Sequence, residues 1–219
     1  MLEKWIEQLK AGQSLDDSQV RQAADWLTEE AVPAEAKADF LIALSQKGET
    51  VEELTAFARA LGDKGVRPVI DSQLRSRELL DVVGTGGDRL GTFNISTAAA
   101  IICSAAGVTV AKHGNRAVTS PTGSADVLQA LGVKIDLAPG EAGDWLRERS
   151  FAFFFAPSYY PAFKNIAAAR KLCAERGRRT LFNLLGPLLN PARPSAMLVG
   201  VPRPELCEPL ARVLQALGV

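Results

Sequence analysis

Two short stretches concentrate the residue types that handle phosphate. The first is Gly84-Thr85-Gly86-Gly87-Asp88-Arg89-Leu90-Gly91-Thr92-Phe93-Asn94-Ile95-Ser96-Thr97. Its glycines let main-chain N–H groups approach an anion, and a helix starting near Ser96 adds unpaired N–H groups and a partial positive charge. A helix end contributes only ~0.3–1 kcal/mol at an exposed site, so several aligned amides have to act together. Two familiar phosphate loops do not fit. A GxGxxG fingerprint from Gly84 needs glycine where Arg89 stands, and a Walker A loop from Gly86 needs lysine where Thr92 stands. A plain structural turn is the alternative. The second stretch is Lys112-His113-Gly114-Asn115-Arg116-Ala117-Val118-Thr119-Ser120, read as a loop directly after a strand. It groups cations, an amide, hydroxyls and the one histidine of the chain, against the alternative of a structural histidine. Any Ser–His–Asp scheme would have to use His113, and no GxSxG elbow is present. Gly123-Ser124-Ala125-Asp126 opens a further helix, as an anion seat or with Ser124 as an ordinary cap. Arg170 on a later helix either meets a carboxylate in a fork or points to solvent.

The elements that must carry these residues follow from periodicity. Residues 1–70 read as successive helices: Leu2, Ile6 and Leu9, then Val20, Ala23, Ala24 and Leu27, then Phe40, Leu41 and Leu44, then Val51, Leu54, Phe57, Ala58 and Leu61 keep three-to-four spacing. Ser14 and Asp16 precede the second helix as its start signals, Pro33 opens the third, Thr50 can cap the fourth and Gly62 ends it. From 71 the pattern alternates. Strands are expected at 79–83, 108–111, 133–136, 151–155 and 196–201, and helices at 97–106, 123–131, 141–149, 161–175 and 204–217. Near-continuous apolar strands separated by helices indicate an α/β domain with a parallel sheet covered on both faces. Ligands in such folds sit at the carboxyl ends of the strands, which places both chemical stretches at one crevice. The heptapeptide Val127-Leu128-Gln129-Ala130-Leu131-Gly132-Val133 recurs as residues 213–219. Its first copy is expected to run into a strand, so the second implies a fold incomplete at the C-terminus.

Composition narrows the partners. Twenty-five basic and 25 acidic residues cancel in 219, so no global field is available for nucleic acid and an anion has to be held by local geometry. No apolar run reaches the ~18–20 residues of a membrane span, and the start Met1-Leu2-Glu3-Lys4-Trp5 lacks a signal-peptide profile. Cys103, Cys173 and Cys207 lack metal or disulfide spacing and fit small buried hydrophobes in a reducing cytoplasm.

Taken together, Val83 to Asp88, Thr92 to Thr97, Lys112 to Arg116, Gly123 to Leu128 and Thr180-Leu181-Phe182-Asn183-Leu184-Leu185-Gly186-Pro187-Leu188-Leu189-Asn190-Pro191 resemble the anthranilate phosphoribosyltransferase family of tryptophan biosynthesis. The resemblance runs through the whole chain and covers about the first two-thirds of a family member. It implies a helical domain (1–70) hinged to an α/β domain (71–219), pairing into a homodimer through the helical part, with no nucleic acid or membrane partner. It also implies transfer of 5-phosphoribosyl from phosphoribosyl pyrophosphate (PRPP) to the anthranilate amine, with Mg²⁺. Carried across, Gly84, Gly87, Asp88, Thr92, Asn94, Ile95, Ser96 and Thr97 would hold PRPP. Lys112, His113, Gly114, Asn115, Arg116, Ala117, Val118, Thr119, Ser120 and Ser124 would join them. Ser96 would touch Mg²⁺. Gly84, Asn115, Arg170, Gly186 and Pro187 would engage anthranilate, with His113 as a positioner or modest proton acceptor.

Two departures bear on activity. Tyr160 stands before Pro161 where the resembled family usually has histidine. The family's Asp-Glu pair for magnesium falls after Val219, so the 219-residue form is expected to be inactive or nearly so. A pyrimidine phosphorylase-like enzyme and a non-catalytic nucleic-acid-binding relative are the competing readings. The second needs basic stripes that the balanced composition does not offer.

Overall fold

The computed structural model describes residues 2–85, 91–117 and 122–219. The front of the chain is a helical bundle. α1 (Leu2–Lys10) buries Leu2, Trp5 and Leu9. α2 (Asp17–Thr28) starts in a capping box between Asp16 and Gln19, α3 (Ala34–Lys47) follows Pro33, and α4 (Val51–Gly62) starts in a second capping box between Thr50 and Glu53. Each cap satisfies N–H groups that a helix start leaves open. The buried stripes of these helices meet in one core.

The rest alternates as expected. α5 (Ser72–Arg75) leads into β1 (Leu79–Gly84), α6 (Ile95–Ala105), β2 (Thr109–Gly114), α7 (Ser124–Ala130), α8 (Ala142–Arg149) and β3 (Phe151–Phe155). Next come α9 (Ala156–Tyr159), a 3₁₀ turn at Pro161–Phe163, α10 (Lys164–Glu175) and α11 (Phe182–Leu188). β4 (Ala196–Gly200), a 3₁₀ turn at Pro204–Leu206 and α12 (Cys207–Leu217) complete the fold. The four strands are parallel in the order β3-β2-β1-β4. Central β2 is buried almost end to end, whereas edge strand β4 is half open, with Leu198 62% exposed. Gly84 pairs with Gly200 and Gly114 with Phe155, so the four carboxyl ends lie in a row.

Helices from the second half complete the bundle: α10 lies on α3 and α2, and α12 lies on α4. Buried Lys37 donates from Nζ to the carbonyls of Glu29 (2.6 Å) and Asn165 (2.8 Å), and Asn165 Nδ2 returns a bond to the Thr28 carbonyl at 2.9 Å.

Three expectations are corrected. Residues 133–136 do not form a sheet strand; Asp136 makes a single antiparallel bridge to Phe154. Their side chains decide this. Ile135 packs with Ala125, Leu128 and Phe153, while Lys134 pairs with Glu141 at 3.0 Å. The first copy of the heptapeptide therefore does not lead into the sheet. Lys112, His113 and Gly114 belong to β2 rather than to the loop after it, because they pair in register with Phe153, Phe154 and Phe155. Of the cysteines Cys173 is buried, Cys103 is half-buried, and Cys207, on the outer face of α12, is exposed.

Candidate functional site

The site forms where β1 and β2 end. Asp81 sits inside the apolar run of β1 and is fully buried. Its carboxylate accepts from Asn190 Nδ2 (2.8 Å) and from the His113 main-chain N–H (3.3 Å). Asn190 also donates to the Ala111 carbonyl and accepts from the Ala192 N–H. One carboxylate thus ties β1, β2 and the segment after α11 together. Burial pushes the Asp81 carboxyl up to about 6, against the pull of the Asn190 bond and the Lys112 charge. Lys112 is also buried, its Nζ donating to the Val82 carbonyl at 2.7 Å. Desolvation brings its ammonium down to about 8, with Asp81 opposing the shift.

His113 is 5% exposed, and its Nδ1 lies 3.2 Å from the Gly186 carbonyl on α11. Burial lowers its pKa to about 4; the Gly186 bond opposes that shift and the Lys112 charge adds to it. The ring is therefore neutral near pH 7. A carbonyl only accepts, so Nδ1 carries the proton and Nε2 presents a lone pair. Nε2 is buried and has no protein partner.

Thr85 Oγ1, at the end of β1, and Thr97 Oγ1, in the first turn of α6, are buried without partners as well. Among the described residues these three are the buried side-chain polar atoms left unsatisfied. Each costs on the order of 1–3 kcal/mol if nothing meets it. All three lie at the ends of β1 and β2 or at the helix that follows β1.

Two segments converge beside them. Asn94, just before α6, donates from Nδ2 to the Thr122 carbonyl (3.4 Å), and Thr122 Oγ1 donates back to Asn94 Oδ1 (3.0 Å). The starts of α6 and α7 are thus neighbours. Asn94 provides no side-chain cap; the Ile95 N–H goes to the Phe93 carbonyl (2.7 Å) and the Thr97 N–H to the Asn94 carbonyl (3.0 Å), which leaves the Ser96 N–H as the first-turn donor not taken up by these bonds. On the other side Ser124 Oγ and the Ala125 N–H both donate to the Asn115 carbonyl at 3.2 Å. Gly123, not Ser124, occupies the cap position of α7. A Cβ on Gly114 would lie 2.2 Å from Ser124 Oγ and 2.8 Å from the Phe153 ring, so that turn closes only around glycine. Arg116 is committed to Asp126 (2.9 Å) and Gln129 (2.8 Å), and Asp126 also takes the N–H groups of Ala117 and Gly123.

An aromatic chain runs away from His113. The His113 ring meets Tyr160 edge-on at 6.3 Å, Tyr160 stacks on Phe163 at 4.8 Å, and Phe163 meets Phe182 at 6.1 Å. Arg170, on the exposed side of α10, places its guanidinium 5.4 Å from the Phe182 ring centre. Phe182 and Gly186 are one turn apart on α11, so that helix brings the sequence-distant Arg170 and His113 to one wall, with Pro187 buried behind them. Gly84, Thr92, Ile95 and Asn115 are exposed at the same strand ends. Gly87, Asp88, Val118, Thr119 and Ser120 lie outside the described residues. Asp81, Thr85, Asn190 and Phe182 escape a reading by motif, although a carboxylate inside the apolar run 79–83 is itself a signal.

Family models and known proteins fit this arrangement. Residues 3–65 match the helical bundle domain of a glycosyl transferase family, and residues 76–219 match the α/β domain of the same family. The chain is 46% identical over its full length to an anthranilate phosphoribosyltransferase of Petrotoga mobilis, covering 62% of that protein. It is 48% identical over 98% of its length to the enzyme of that name from Symbiobacterium thermophilum, covering 61%. The crystal structure of the Thermus thermophilus anthranilate phosphoribosyltransferase superposes with a TM-score of 0.87 at 42% identity, over 98% of this chain and 63% of that one. The Saccharomyces cerevisiae protein of the same name, in complex with PRPP and Mg, also gives 0.87, at 26% identity, over 99% of this chain and 62% of that one. The chain spans about three-fifths of the length of the relatives it matches.

Proposed function

Because this chain belongs to the glycosyl transferase family that joins a helical bundle domain to an α/β domain, we propose that it serves anthranilate phosphoribosyl transfer in cytoplasmic tryptophan biosynthesis. The observation that carries this reading is the convergence of unsatisfied buried polar atoms, the Ser96 N–H at an uncapped helix start and glycine at the ends of β1 and β2. In the reaction the bond from ribose C1 to diphosphate breaks and the diphosphate keeps the electron pair. A bond forms from the anthranilate nitrogen to C1, and the amine proton passes to the released diphosphate or to water.

The PRPP set is Gly84, Gly87, Asp88, Thr92, Asn94 to Thr97, Lys112 to Ser120 and Ser124. The Ser96 N–H at the start of α6 and the hydroxyls of Thr85 and Thr97 face the charge that grows on the leaving group, where preorganised donors lower a barrier most. In this set Lys112 and Arg116 act through structure, Lys112 by fixing β2 to β1 and Arg116 by bracing Asp126. Gly84, Asn115, Arg170, Gly186 and Pro187 form the anthranilate side, with the Arg170 guanidinium meeting the carboxylate. His113 orients the amine as a hydrogen-bond acceptor at Nε2. An aromatic amine is already nucleophilic, so orientation contributes more here than a strong base.

The residues present suit a magnesium ion that arrives with phosphate. Ser96 offers a hard oxygen at the α6 terminus, and the described residues contain no cluster of three metal-ligating side chains that would form a dedicated cage. When bound, Mg²⁺ neutralises charge on the departing diphosphate. With so few carboxylates at hand, the 219-residue polypeptide should bind PRPP but turn over little. Residues 1–70 act as a helical pairing domain of a homodimer and 71–219 as the PRPP domain.

The test is isothermal titration of the protein with PRPP and Mg²⁺, alongside an assay of anthranilate fluorescence and diphosphate release. Saturable PRPP binding with slow anthranilate consumption supports the reading. Absence of PRPP binding by the folded protein, or thymidine phosphorolysis in its place, contradicts it.

A further inference from the structure

We propose that Tyr160 is a positioning residue that transmits the placement of the connection after α4 to the His113 ring, and that position 65 is glycine because Tyr160 fills its space. The proposal rests on the reading above only in treating His113 as a group that meets the acceptor.

A Cβ on Gly65 would lie 2.5 Å from Cε1 and 2.8 Å from Cζ of Tyr160. The backbone of Gly65 is outside the left-handed region, so conformation does not demand glycine there. One residue later the Val66 N–H donates to the Tyr159 carbonyl at 2.8 Å, and Val69 does the same to Pro139 at 2.9 Å. The connection is therefore fastened to the α/β half at two points directly after the residue that meets the ring. Tyr160 is 4% exposed. One neighbour of its ring is Gly65, another is Phe163, stacked at 4.8 Å with planes 23° apart, and a third is His113. Close-packed rings pass on displacement rather than absorb it. A shift of residues 62–66 thus reaches His113 directly, and reaches Arg170 through Phe163 and Phe182.

His113 is the one histidine in the chain, so its ring nitrogen and Cε1–H resonances report on it without ambiguity. The experiment compares the full chain with Gly65→Ala, Tyr160→Leu, Tyr160→Phe and the double variant Gly65→Ala/Tyr160→Leu. Tyr160→Leu and Gly65→Ala should each shift the His113 ring resonances, while Tyr160→Phe, which keeps the ring, should leave them near wild type. In the double variant Gly65→Ala should add no shift beyond Tyr160→Leu, since the clash is gone. Unmoved His113 resonances in folded Gly65→Ala, or an equal added shift in the double variant, overturn the proposal. Should Gly65→Ala alone fail to fold, recovery of the fold in the double variant supports the contact and continued failure overturns it. The readout requires no turnover, so it stands or falls separately from the assigned reaction.

Discussion

In the helical half, Glu53 is fully buried yet receives the N–H groups of Leu15 and Thr50 (both 2.9 Å) and the Lys47 ammonium (2.7 Å). Lys37 has two carbonyls, and the hydroxyls of Thr28 and Thr55 each return to a carbonyl in the turn before. At the ends of β1 and β2 three buried polar atoms, Thr85 Oγ1, Thr97 Oγ1 and His113 Nε2, have no partner. The bundle uses these groups to hold itself together; the strand ends do the same with Asp81, Asn190 and Lys112 but keep three further atoms in reserve for something that binds. Folding alone explains the first arrangement and leaves the second unaccounted for. Substitutions in the two regions should therefore have different consequences.

The largest effect belongs to the satisfied network. Glu53→Ala takes the counter-charge from Lys47, which keeps only the Gly48 carbonyl and the Ser14 hydroxyl, and strips the Leu15 and Thr50 N–H groups of their acceptor, so it should destabilise the protein by ~3–5 kcal/mol in denaturant titrations. Its PRPP affinity, measured where it remains folded, should not change. Next is the pH dependence. His113 has a folded pKa of about 4, below its ordinary 6.5. As pH falls the unfolded chain takes up that proton first, so stability declines between about 6.5 and 4, by up to ~3 kcal/mol. Asp81 works the other way. Its folded pKa of about 6 lies above the ordinary 3.8, so it contributes stability that is full below 3.8 and is lost as pH rises through 6. His113→Gln should flatten the acid limb of stability measured against pH, and an unchanged limb would contradict the buried neutral imidazole.

A smaller loss is expected from Gly114→Ala. The new methyl meets Ser124 and Phe153, so ~1–3 kcal/mol of overpacking should accompany weaker PRPP binding. The sharpest comparison is the smallest. Thr97→Val keeps shape and removes an unpartnered hydroxyl, so stability should hold or rise by up to ~1 kcal/mol while PRPP affinity falls about five- to tenfold. Loss of stability in Thr97→Val would mean that the hydroxyl is satisfied within the fold.

Much of this was legible in the sequence because it is local. Helix periodicity, the caps at Asp16 and Thr50, the strand-helix alternation and the glycine-rich and cationic stretches all follow from residues within a turn or two of one another. What was not legible depends on register between distant segments. Nothing near Lys112 and His113 says that they continue β2; pairing with Phe153 and Phe154 decides it. Asp81 and Asn190 are 109 positions apart, and only the fold brings them to 2.8 Å. Residues 133–136 read as a strand by alternation, but side-chain packing and the Lys134–Glu141 pair hold them off the sheet. Tyr160 shows as a departure from a motif, and its contact with Gly65 emerges only in three dimensions.

The central claim is that the ends of β1 and β2 hold a diphosphate, and amide chemical-shift mapping during titration of the ¹⁵N-labelled chain with PRPP and Mg²⁺ tests it most directly. The account predicts saturable shifts concentrated in residues 92–97, 112–117 and Ser124, with the helical bundle silent. Saturable binding that leaves those residues unmoved and shifts the bundle would contradict it.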